Sequence, residues 1–259
     1  MKFTEVLESF AFDGALRGRV ADNWLQGRTL YGGMTAALSL ESALRALPDL
    51  PPLRSAQIAF VGPAEGALSI TSTILRKGKS VTFVNADLVA ERGLAARTVF
   101  AFGGARESKI TANFIADPQK PSASSLEKLG EHKFTAPFAR NFDRCFASGG
   151  IPFTGSRDCN MYFWARHRDE KATSIPALLA LADMPPPAVM PMFTERAPIS
   201  TMTWALNFLT DHPSTEDGWW LLQTRAENAS EGYSSQDMFV WNAFGAPVIA
   251  GRQSVAIFQ

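Results

Sequence analysis

A lone carboxylate stands in an otherwise apolar stretch. Asp183 ends the run Ile175-Pro-Ala-Leu-Leu-Ala-Leu-Ala-Asp183, followed by Met184 and three prolines. Taking a carboxylate out of water is costly unless it is paired or hydrogen-bonded. Such an acid is a candidate general base; a helix cap or a partner for a buried arginine is the structural alternative. Ser200 and Thr201 open the segment Ile199-Ser-Thr-Met-Thr-Trp204. Hydroxyls there bond across strands or hold a reacting water. Gln253 lies between Arg252 and Ser254 in the last strand-like run, and strand alternation separates its face from that of both neighbours. Tyr31-Gly32-Gly33 precedes the apolar run from Met34 to Leu47. Paired glycines let backbone N–H groups come close to a ligand, and a helix start favours negative charge. This motif suits an oxyanion, or equally the tight packing of a helix against a sheet.

Other chemistries lack their residues. There is no Gly-x-Ser-x-Gly elbow, so an α/β-hydrolase is excluded. Lys77-Gly78-Lys79-Ser80 resembles the tail of a phosphate loop, but Thr73 occupies the place of the first glycine and the segment falls between two strands. It reads as a hairpin turn. His132, His167 and His212 have no metal-ligand spacing, so no metal and no cofactor are expected.

The elements that must position these residues follow from periodicity and turn signals. The segment 31–47 is apolar on nearly every side and reads as a buried helix that Pro48 ends. Strand-length runs follow at 53–61, 67–75, 81–90 and 95–102, separated by Gly62-Pro63, Lys77-Gly78-Lys79 and Arg92-Gly93. Short turns between successive strands imply an antiparallel meander. The second half repeats the plan: runs at 143–147 and 161–168, a helix at 175–183 with Asp183 inside it, then strands at 199–209, 219–227, 234–242 and 247–258. Leu94-Ala-Ala-Arg97 and Ile249-Ala-Gly-Arg252 stand in the matching last strands. A repeat of helix and meander outranks local signals. It predicts an α+β chain of two tandem units, residues 1–115 and 132–259, joined by a Pro/Ser/Lys-rich linker over 116–131. In each unit an antiparallel sheet wraps a central helix, the double hotdog.

Bulk properties narrow the class. Basic and acidic residues both total 25, and no basic stripe is present, so nucleic acid is not an expected partner. No run approaches the length of apolar chain that crosses a bilayer. Glu5, Glu8 and Asp13 stand where a secretory signal would be apolar, and Cys145 and Cys159 read as free thiols. A cytoplasmic protein is the expectation, with homo-oligomerisation left open.

The chain also resembles the acyl-CoA thioesterase II family and its double-hotdog relatives. The resemblance spans nearly the whole sequence. It rests on Trp24 and Gly27 leading into Leu30-Tyr31-Gly32-Gly33, on LRKGKSVTFVNADLVAERG, on LALADMPPP, and on Arg252-Gln253-Ser254-Val255. It implies hydrolysis of acyl-CoA to free acid and CoA in lipid metabolism. The implied site is an Asp, a hydroxyl and a Gln, which match Asp183, Ser200 or Thr201, and Gln253. Tyr31, Gly32 and Gly33 would contact substrate. The family commonly carries an acid two positions after the hydroxyl, where Ser200 would place Met202. That departure keeps open a non-catalytic acyl-binding protein. A hotdog hydratase is disfavoured because the histidines lack the accompanying Asp. The helix of the first half has only Glu41 as an acid, so one site per chain is expected.

Overall fold

In the computed structural model, residues 1–133 and 135–258 are described; Phe134 and Gln259, both within the second unit, lie outside them. The helices are α1 (Phe3–Ser9), α2 (Gly32–Ala46) and α3 (Ile175–Ala182). The strands are β1 (Ala11–Phe12), β2 (Leu16–Arg19), β3 (Leu25–Gln26), β4 (Thr29–Leu30), β5 (Leu53–Phe60), β6 (Ala67–Lys77), β7 (Val81–Ala90) and β8 (Gly93–Gly103) in the first half. The second half contributes β9 (Phe142–Ser148), β10 (Asn160–His167), β11 (Ile199–Phe208), β12 (Trp220–Ser230), β13 (Tyr233–Trp241) and β14 (Pro247–Ile257).

Twelve strands form one antiparallel sheet in the order β1-β2-β6-β7-β8-β5-β11-β14-β13-β12-β10-β9. Read outward from the β5–β11 seam, the two halves have the same order. Three β-bulges match too. The extra residues Arg54, Leu75 and Ala95 of the first half correspond to Met202, Glu227 and Val248 of the second. The bulges fix the residue correspondence, and they move one expectation. Leu94–Arg97 and Ile249–Arg252 do lie on matching strands, but Ala95 corresponds to Val248, so the two tetrapeptides are out of step by two residues. A slip of two keeps each arginine on the same face. There Arg97 pairs with Asp87 at 2.7 Å and Arg252 with Asp237 at 2.9 Å.

α2 and α3 pack against each other inside the wrapped sheet, in one continuous core. α2 is buried along most of its length because its polar groups are satisfied locally. Ser39 Oγ donates to the Thr35 carbonyl at 2.9 Å, and Ser42 Oγ donates to that of Ile70 at 3.2 Å. α3 starts at Ser174, whose Oγ accepts the Ala177 N–H. It stops at Ala182, so Asp183 is its C-cap and not a mid-helix residue; the prolines that follow cannot continue the ladder.

Residues 116–131 hold no helix or strand longer than a single 3-10 turn, yet they are packed down. Trp164 Nε1 donates to the Pro121 carbonyl and Trp241 Nε1 to that of Ala116. Ala123 joins Cys145, Trp164, Leu221 and Trp241 in a second apolar cluster. Trp204 is a core residue at 1% exposure. Cys145 and Cys159 are free thiols. No helix among the described residues is long and apolar enough to cross a membrane.

Candidate active site

The two buried helices pack side by side, with the start of α2 against the finish of α3. Gly32 and Gly33 permit this approach. A Cβ on Gly33 would lie 2.5 Å from the Ala180 carbonyl oxygen, and one on Gly32 would lie 2.8 Å from Asp183 Oδ2. Tyr31 locks the junction from below. Its hydroxyl donates to the Ala180 carbonyl at 2.7 Å, satisfying one of the unpaired carbonyls of the α3 end. Its ring stacks on Phe138 at 4.0 Å. Burial first, and Asp183 second, hold the Tyr31 phenol well above its ordinary pKa, so it stays protonated.

Asp183 therefore sits between opposed helix ends. The α3 C-terminus disfavours its charge and the α2 N-terminus favours it. Gln253 Nε2 donates to Asp183 Oδ1 at 2.6 Å. The Gly33 backbone N–H makes a smaller contribution to the same carboxylate. Burial dominates, and the Asp183 pKa is pushed up to about 7 against these two donors. Asp183 is half-buried and lines a cavity of about 560 Å³.

That cavity brings together Asp183, Gly32, Ser200 and Thr201. Its apolar wall includes Leu30, Phe60, Ala95, Pro187 and Ile199, and its rim carries Gln26, Arg28 and Thr29 of the β3–β4 hairpin. Gln253 lies behind Asp183 at 3% exposure. Tyr31, expected at the substrate, is not on the cavity wall: its hydroxyl is committed to α3. The Gly33 amide faces Asp183, and of the two glycines it is Gly32 that lines the cavity.

The hydroxyls separate by face. Thr201 pairs with Val255 and Trp204 pairs with Gln253, and Val255, Trp204 and Gln253 are all buried on the inner side. The bulge at Met202 puts Thr201 on that inner face. Ser200 pairs with Ala256 and is exposed. Among the described residues no hydrogen bond ties either hydroxyl to Asp183.

Gln236 is a residue the sequence analysis did not single out. It is 1% exposed and accepts the Ala188 N–H at its Oε1, 2.7 Å away. Its Nε2 donates to Gln253 Oε1 at 3.0 Å. Polar amides on the successive strands β13 and β14 were the available signal, but the register that pairs them was not.

Other groups are placed away from this chemistry. Burial lowers the His167 pKa to about 4, and the neutral ring donates through Nε2 to the Ala177 carbonyl. No three His, Cys, Asp or Glu side chains among the described residues are grouped to hold a metal ion. Lys77 to Ser80 do form the β6–β7 hairpin turn, closed by the Gly78 N–H on the Val81 carbonyl.

Residues 116–257 match the family model for the acyl-CoA thioesterase C-terminal domain, and residues 20–103 match that for the N-terminal domain. None of the curated proteins compared with this sequence matches it. Among solved structures, a hot dog fold protein of unknown function from Alicyclobacillus acidocaldarius is 23% identical with a TM-score of 0.87, over 98% of each chain. The acyl-CoA thioesterase II TesB2 of Mycobacterium marinum is 17% identical with a TM-score of 0.77, again over 98% of each chain. A tesB protein of Mycobacterium avium subs paratuberculosis is 14% identical over the full length of both chains, with a TM-score of 0.80. These likenesses establish the double-hotdog fold. With both halves matched in order by the family models, the chain belongs to the acyl-CoA thioesterase family, whose reaction is thioester hydrolysis.

Proposed function

We propose that this chain hydrolyses acyl-CoA thioesters with Asp183 as general base. The observation that carries the reading is a single carboxylate, held by Gln253, that lines a cavity with both apolar and polar walls beside the start of α2. A base is most effective when its pKa lies near the working pH, and about 7 meets that condition.

Asp183 takes a proton from a water whose oxygen attacks the thioester carbonyl carbon. The C=O electron pair moves onto oxygen, where the Gly32 N–H and the α2 N-terminus stabilise the charge. Collapse breaks the C–S bond, the electron pair leaves with sulfur, and the proton on Asp183 passes to the thiolate. Thr201 holds the water in line, with Gln253 fixing the carboxylate, which reduces the entropic part of the barrier. Leu30, Phe60 and Ile199 receive the acyl group. Free cysteines fit a reducing compartment, and the cytoplasm is the proposed location.

The test is thiol release across short, medium and branched acyl-CoAs. Wild type releases CoA, and Asp183→Asn loses at least two orders of magnitude while still binding an acyl-CoA analogue. Undiminished release by Asp183→Asn would end this mechanism. Binding without release by wild type would replace it with acyl-group binding.

A further inference from the structure

We propose that Gln236 is a positioning residue that sets the polarity of the Gln253 amide and so presents a donor, never an acceptor, to Asp183. The inference rests on the Asp183 mechanism and deepens it.

A glutamine amide has two nearly isosteric ends, one donor and one acceptor. Gln253 alone could turn either end toward Asp183. The choice is made three links away. The Ala188 backbone N–H can only donate, and it meets Gln236 Oε1 at 2.7 Å. That contact forces Gln236 Nε2 toward β14, where it meets Gln253 Oε1 at 3.0 Å. Gln253 must then turn its own Nε2 to Asp183 Oδ1, at 2.6 Å. Flipping either amide would set donor against donor at one end and acceptor against acceptor at the other. Both glutamines are buried, so water cannot heal the mismatch.

The relay is a property of neighbouring strands. Gln236 and Gln253 are directly paired residues of β13 and β14, facing the same side. Ala188 belongs to the segment that follows Asp183, so the chain leaving α3 returns to orient the residue that holds the acid. An obligate donor stabilises the ionised form of Asp183, the form a general base needs. Tyr31 is the titratable group set against Asp183, and Arg28 stands at the cavity rim; neither touches the relay.

Two measurements test this. In wild type, the side-chain amide signals of Gln236 and Gln253 are followed by NMR from pH 5 to 9. Both are expected to titrate with one midpoint, the midpoint of Asp183. A Gln236 amide that stays still while that of Gln253 moves would overturn the relay. In Gln236→Met, the pH midpoint of kcat/KM is expected to rise by about one unit, as befits a hydrogen bond to a charged group. Its kcat falls, and KM changes by less than about twofold. A variant that only melts earlier, with its midpoint unmoved, would show a structural role and sink the proposal. Loss of thiol release in Asp183→Asn, with the Gln236 results negative, would leave the hydrolysis intact and remove only the relay.

Discussion

The molecule contains the cavity of the candidate site twice, once with a carboxylate and hydroxyl residues in its wall and once with mostly apolar side chains. The bulge correspondence and the helix starts map Asp183 onto Leu40, Thr201 onto Leu53, Ser200 onto Pro52, Gln253 onto Phe100 and Gln236 onto Val84. The mapped position is also a cavity, of about 250 Å³, lined by Leu40, Leu44, Leu53, Phe102, Ile175 and Phe208. There Ile175 takes the place of Gly32, so the helix start is covered by a side chain. Glu41, the acid considered for the first half, points elsewhere and pairs with Arg45 at 2.7 Å. The backbone of a hotdog pair offers two equivalent junctions. A carboxylate, its donor and a bare helix start coincide at one of them, the junction proposed for catalysis. At the other, the same slots stabilise the fold through apolar packing.

Breaking the comparison most strongly calls for Asp183→Asn. Removing a general base should lower thiol release about 10²–10⁴-fold, whereas Leu40→Met in the mapped slot should leave kcat within about twofold. Steady-state kinetics on both variants decides whether the two junctions differ in function. Phe100→Ala tests the other side. Deleting a fully buried ring should cost about 3–5 kcal/mol in urea titrations, with turnover per folded molecule preserved. Loss of turnover in excess of unfolding would assign the apolar junction a role in catalysis.

A finer contrast lies within β11. Thr201→Val should lower kcat about tenfold by releasing a positioned water, and Ser200→Ala should stay within about twofold. Equal losses would undo the face assignment drawn from the Met202 bulge. A further effect is thermodynamic. The folded Asp183 pKa, about 7, lies above the ordinary 3.8. Native protein therefore binds a proton that unfolded protein releases between these values. The stability Asp183 contributes is complete below about pH 4 and is lost as pH rises through about 7. Asp183→Asn removes that dependence, so its Tm relative to wild type should climb from pH 4 to 7 and then level off. Calorimetry at several pH values across that window measures it.

Much of this was visible before any coordinates. The alternating runs marked the strands of both meanders within a few residues. The largely apolar stretches at 31–47 and 175–183 marked the buried helices, because a helix apolar on nearly every side has to be enclosed. Asp183 attracted notice because a charge in such company demands a reason. The hydroxyl was harder. Strict alternation groups Ser200 with Trp204, and one extra residue in the ladder at Met202 exchanges Ser200 for Thr201. Bulges have no reliable local code, since they answer to the pairing of neighbouring strands.

Composition and pattern by themselves determined that this chain makes two helix-and-meander units with one conspicuous acid. Those features depend on local periodicity and on the burial each residue type tolerates. Tertiary structure alone decided that Asp183 caps α3 at the start of α2, and that Gln236 stands behind Gln253. It also decided that Tyr31 supports the junction without reaching the cavity. Two of these are contacts between segments far apart in the chain and the third depends on the register of a hairpin; side-chain direction at such contacts is set by strand order, register and helix ends meeting, none of which a residue's neighbours in sequence encode.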